Sequence, residues 1–107
     1  MESRPRKIQI YEGADGERPF ETWFNSLQPL RAKTSIAARL DRAERGSLGG
    51  WKSVQDGVCE LRVQDGPGYR VYFGFDGDVI VLLRGGTNSI QSRDIKKAVR
   101  CWGDYNA

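Results

Sequence analysis

The spacing of apolar side chains divides the chain into a helical half and a strand half. Ile8 and Ile10 alternate with Gln9 and Tyr11, which predicts a short first strand over Lys7 to Glu12. Gly13-Ala14-Asp15-Gly16 follows as a loop. Phe20, Trp23, Phe24 and Leu27 recur at i, i+3, i+4 and i+7 behind Pro19, which predicts a short helix with one apolar stripe for a core. A second helix is expected from Pro29 to about Arg45. Its apolar side is thin (Ala32, Ile36, Leu40, Ala43), and Arg31, Lys33, Arg39, Arg42 and Arg45 form a basic side read as solvated or docked on an acidic partner. The link between the two helices is short, so they should pair as an antiparallel hairpin. Gly46-Ser47-Leu48-Gly49-Gly50 ends this half as a flexible connection.

The period then changes to two. Val58 to Val63 and Tyr69 to Phe75 alternate on either side of the turn signal Gln64-Asp65-Gly66-Pro67-Gly68. A second turn at Phe75-Asp76-Gly77-Asp78 leads into Val79 to Arg84, giving a three-stranded antiparallel meander. Val79-Ile80-Val81-Leu82-Leu83 is apolar on both faces and therefore belongs inside the sheet, covered on both sides. After Gly85-Gly86 comes a polar loop with Thr87 and Ser89 as possible caps. Ile95, Ala98, Val99 and Trp102 then mark a final helix. The order strand, two helices, three strands, helix predicts one α+β domain over residues 1–107, built as a layer pair of one curved sheet with helices packed on it.

Pairing Val63 with Tyr69 across the turn places Leu61 opposite Val71 and Cys59 opposite Phe73 on a core face. The other face then carries Glu60, Arg62, Arg70 and Tyr72, with Arg62 directly opposite Arg70. Like charges so placed cost about 0.2–1 kcal/mol, so either Glu60 compensates or the pair holds an anion such as a phosphate. Arg84 joins this face if a three-residue loop with left-handed Gly77 keeps the parity, the arrangement favoured here; a two-residue Asp76-Gly77 loop would turn it away. Lys52 can reach the same concave face. A bowl of Lys52, Arg62, Arg70, Tyr72 and Arg84 is the charge pattern that phosphodiester chemistry needs. The plain alternative is a set of solvated strand-face charges.

Composition narrows the chemistry. The 107 residues hold no histidine, which excludes histidine acid/base catalysis and most zinc sites. Cys59 and Cys101 match no metal spacing and are read as packing residues. The net charge is +3, carried by twelve arginines and five lysines, a mild pointer to an anionic partner. No apolar run approaches membrane length, and the first residues lack a secretory signal, so a cytoplasmic protein without membrane association is expected.

Several segments together resemble the RelE/ParE superfamily of bacterial toxins, within it the HigB-like, phage-associated addiction module killer proteins. They are Arg18-Pro19-Phe20-Glu21-Thr22-Trp23, Leu48-Gly49-Gly50-Trp51-Lys52-Ser53-Val54, Gly57-Val58-Cys59-Glu60-Leu61-Arg62-Val63, Gly66-Pro67-Gly68-Tyr69-Arg70-Val71-Tyr72-Phe73, Leu82-Leu83-Arg84-Gly85-Gly86 and Gln91-Ser92-Arg93-Asp94-Ile95-Lys96-Lys97-Ala98. The resemblance implies a RelE-like fold: two N-terminal helices and a C-terminal helix on a curved, mainly antiparallel four-stranded sheet. It implies a helix-turn-helix antitoxin as partner. It also implies metal-independent, cofactor-free cleavage of mRNA on the ribosome, in which the RNA's own 2′-hydroxyl attacks the adjacent phosphate. Some relatives in the superfamily instead poison DNA gyrase.

On that reading Arg62 and Arg70 clamp the phosphate, and Tyr72 or Lys52, its pKa depressed by neighbouring cations, is the base. Glu60 competes for that role or only orients Arg62. Lys52, Trp51 and Arg93 are the expected RNA contacts, with Trp51 read first as a packing residue and second as a base-stacking one. Thr87-Asn88 stands where the family commonly has Asp-Lys, and Arg84 is the residue that would replace the missing cation; without such compensation the chain would be a weakened nuclease that still binds its antitoxin.

Overall fold

The computed structural model describes residues 5–87 and 91–107. The elements in chain order are β1 (Lys7–Ile10), α1 (Pro19–Ser26), α2 (Leu30–Glu44), β2 (Trp51–Gln55), β3 (Val58–Val63), β4 (Tyr69–Asp76), β5 (Val79–Thr87) and α3 (Gln91–Tyr105). They form one five-stranded mixed sheet of order β1-β5-β4-β3-β2, in which β1 runs parallel to β5 and the other pairs are antiparallel.

This corrects the four-stranded sheet expected from the sequence. The additional strand is β2, a segment to which the sequence pattern assigns no element between the Gly46–Gly50 connection and Val58. It is an edge strand whose residues are mostly exposed, so it lacks apolar alternation. Its turn was nevertheless written in the chain. Asp56 and Gly57 both have positive φ, 47° and 85°, the conformation that lets a two-residue hairpin follow the twist of its strands.

The layer pair is corrected too, because the helices lie on both faces. Phe20, Ala32, Ile36 and Ala43 of α1 and α2 pack with Leu61, Val71, Phe73 and Leu82 on one face. Ala98 of α3 packs with Val58, Tyr72, Val81 and Leu83 on the other. β5 therefore has core on both sides, as its unbroken apolar run requires. It also extends past Arg84, the expected end of the strand, to Thr87, so Gly85 and Gly86 are strand residues and Thr87 ends a strand rather than capping a helix. Each makes room for a neighbour. A Cβ on Gly85 would lie 2.0 Å from the Trp23 ring of α1, and one on Gly86 would lie 2.2 Å from the Asp94 carboxylate of α3. Gly85→Ala is expected to lose about 1–3 kcal/mol of unfolding free energy in urea. Gly50→Ala, where a Cβ meets nothing within 4 Å, serves as the neutral control.

The β3–β4 register agrees with the pairing derived above, from Cys59↔Phe73 to Val63↔Tyr69, with Arg62 opposite Arg70. The β4–β5 turn does not. It is a two-residue Gly77-Asp78 loop closed by Asp76↔Val79, and by itself it would turn Arg84 to the other face. A bulge restores the parity: Phe73 pairs with Leu82 and Tyr72 with Arg84, so Leu83 is the extra residue. Thr87 ends β5, while Asn88 and Ser89 lie outside the described residues.

The basic side of α2 is partly engaged. Arg31 Nη2 and Ser35 Oγ each donate to Asp65 in the β3–β4 turn at 2.7 Å, tying the hairpin to α2. These bonds hold the Asp65 carboxyl below its usual pKa. The sign follows from linkage: the unfolded chain takes up this proton first, so the contribution is complete above about pH 4 and disappears as pH falls through the lower folded value. Asp65→Asn should therefore reduce the acid-side slope of stability against pH between about 4 and 2, measured by chemical denaturation at each pH.

Candidate functional site

On the α3 face, two cross-strand rows run side by side. One is Lys52, Glu60, Tyr72 and Arg84 from β2, β3, β4 and β5; the next is Arg62, Arg70 and Gly86. Directly opposed residues share a face, so the ladder brings three cations around one carboxylate. Glu60 is 1% exposed. Arg70 Nε lies 3.1 Å from its Oε1, Arg62 Nε 3.8 Å and Lys52 Nζ 3.9 Å from its Oε2. Gln91 Nε2, from the first turn of α3, donates to Oε1 at 2.8 Å.

The Arg62–Arg70 opposition is thus compensated locally by Glu60, one of the two outcomes left open above. Among the described residues three positive groups lie within 4 Å of this one carboxylate. The Arg62 and Lys52 side chains are 54% and 60% exposed, whereas that of Arg70 is 8% exposed and lies beneath them. Arg62, Lys52, Glu60, Trp51, Gln64 and Arg39 border a cleft of about 400 Å³. Arg39 also donates to the carbonyls of Leu48 and Gly50, at 2.5 and 3.3 Å, and so fixes the loop that delivers β2 and Lys52.

Tyr72 is in the row but is fully buried, and its hydroxyl has no hydrogen-bond partner among the described residues. Burial, with the Glu60 and Asp94 carboxylates behind it, pushes its pKa up to about 12, against the smaller opposite pull of Arg70 and Arg62. That reverses the depression expected from cation crowding: desolvation wins, and Tyr72 keeps its proton at neutral pH. Tyr72→Phe removes an unmatched buried hydroxyl and should leave unfolding free energy unchanged or raise it by about 1 kcal/mol; a loss of that size would mean the hydroxyl has a partner.

The remaining residues are placed as follows. Arg84 shares the row but lines a different cavity, with Tyr11 and α3. Trp51 is 43% exposed at the cleft edge, with its ring against Phe73 and Phe75 at centroid distances of 6.2 and 5.2 Å. Arg93 is exposed in the first turns of α3. Gln91 and Asp94 were not singled out by the sequence reading as site residues. Their i, i+3 spacing aims both at this part of the sheet, but which sheet face α3 covers is a tertiary fact. Burial raises the Asp94 carboxyl against the pull of Arg84, Lys97, Arg93 and Arg70.

The chain is 48% identical over 80 residues to an uncharacterized protein of Haemophilus influenzae, a match covering 74% of this chain and 81% of that one. The chain belongs to that protein's family. No family model matches it. Among the described residues no His, Cys, Asp and Glu group is arranged to hold a metal ion, and no helix is long and apolar enough to cross a membrane. Cys59 and Cys101 are both free.

Proposed function

We propose that this protein is the toxin of a type II toxin–antitoxin module, acting in the cytoplasm as a metal-independent endonuclease on ribosome-bound mRNA and held in check by a small helix-turn-helix antitoxin. One observation carries the reading: cations from three adjacent strands converge on a single buried carboxylate at the edge of an open cleft. In the reaction the RNA 2′-oxygen gives its proton to water and attacks the adjacent phosphorus, the 5′-oxygen leaves with a proton from the exposed Lys52 ammonium, and a 2′,3′-cyclic phosphate remains. Negative charge grows on the non-bridging oxygens, where fixed guanidinium and ammonium groups stabilise it. Arg62 and Lys52 have the exposure to touch that phosphate. Arg70 is a positioning residue, holding Glu60 so that Glu60 holds Arg62. Tyr72, protonated and fully buried, is neither the base nor an RNA contact, which leaves the exposed Lys52 ammonium as the proton-transfer group of the bowl, acting as acid to the leaving oxygen. Trp51 offers its exposed part to a base at the cleft edge, and Arg93 extends the positive surface.

One observation favours a second reading. Tyr72 retains its proton and Glu60 is engaged by Gln91 and Arg70, so the site is poor in free bases. A non-enzymatic inhibitor of DNA gyrase would need only the charge. Inducing the chain alone and mapping a translated message by primer extension separates the two. Cuts within codons support the nuclease; growth arrest with intact messages and altered plasmid supercoiling would replace it with the gyrase reading.

A further inference from the structure

The cavity that Arg84 lines is separate from the Glu60 cluster and independent of the nuclease reading. It is an open hollow of about 580 Å³ bordered by β5, the loop between β1 and α1, and one side of α3. That side follows from helical spacing: Lys97, Arg100, Cys101 and Asp104 stand at i, i+3, i+4 and i+7. Tyr11 adds to the lining, its hydroxyl donating to Asp104 Oδ2 at 2.6 Å, which gives that exposed carboxylate one partner. The loop carboxylates are Asp15, which accepts from the Glu17 N–H, and Glu17; both are exposed.

Against these three carboxylates the lining sets three cations, Arg84, Lys97 and Arg100. Among the described residues none of them makes an ion pair within 4.0 Å or a side-chain hydrogen bond, and Arg84 Nε is buried without an acceptor. A buried guanidinium N–H with no acceptor is costly, and an oxyanion between the three cations supplies one. The volume suits a ligand of nucleotide size, and forked guanidinium groups suit phosphate oxygens.

We propose that this cavity binds the phosphate group of a small soluble molecule through Arg84, Lys97 and Arg100. The phosphate of an RNA chain has the same chemistry, so the test uses both sources. The ¹⁵N-labelled full chain is titrated at constant ionic strength with a nucleoside triphosphate and, separately, with a short single-stranded RNA. The triphosphate should move the amide signals of Tyr11, Arg84 and residues 97–104 saturably and leave those of Glu60 and Arg62 in place. Arg100→Gln, at an exposed helix position, should weaken this binding about tenfold or more, while Arg62→Gln should not change it. Equal affinity in Arg100→Gln, no saturable change around the cavity, or changes there with RNA alone would overturn the assignment.

Discussion

Glu60→Ala should cost about 3–5 kcal/mol of folding stability, the loss expected when one member of a buried ionic cluster is removed. Arg70, its side chain 8% exposed, would lose the carboxylate 3.1 Å from its Nε, and it would still face Arg62 across the strand pair. For a chain of this size that loss lowers Tm by more than about 10 °C, readable by circular dichroism. Glu60→Gln keeps an acceptor for Gln91 but removes the charge beside Arg70, and it should fall between wild type and Glu60→Ala. An unchanged Tm in Glu60→Ala would mean that the cations do not depend on this carboxylate.

Arg62→Ala should do the reverse, sparing the fold and removing the activity. Its side chain is 54% exposed, and its removal relieves the opposition to Arg70, so stability should shift by less than about 0.5 kcal/mol. Cleavage of a translated message should fall by about 10²–10³-fold, the usual loss when one fixed donor to a developing oxyanion is removed. Arg84→Ala should retain cleavage, because Arg84 lines the other cavity. That outcome would also dispose of the idea that Arg84 replaces the cation missing near Thr87-Asn88. Full growth arrest by Arg62→Ala would reject its assignment, and lost cleavage in a folded Arg84→Ala would return Arg84 to the site.

What was legible in the chain had local causes. The Gly66-Pro67-Gly68 turn and the alternation on each side fixed which residues of β3 and β4 face each other, and so the Arg62–Arg70 opposition. The doubly apolar run of β5 announced an interior strand. What was not legible depended on distant partners. β2 is an exposed edge strand identified by Asp56-Gly57 rather than by its own pattern. The parallel pairing of β1 with β5 has no signature in four residues. The bulge at Leu83 compensates a turn one residue shorter than expected, so Arg84 reached the expected face by an unexpected route. The site was half readable. Its cations could be placed on one face, but the depth of Glu60 and the rise in the Tyr72 pKa come from α3 closing over that face.

The central physical claim is that Lys52 and Arg62, gathered around Glu60, contact RNA phosphate. The salt dependence of single-stranded RNA binding tests it directly, because each phosphate contact adds about 0.7 to the slope of log affinity against log salt. The double variant Lys52→Ala/Arg62→Ala should lose about 1.4 of the wild-type slope while keeping its fold by circular dichroism. A slope equal to that of the wild type would show that the RNA phosphates lie elsewhere and would contradict the account.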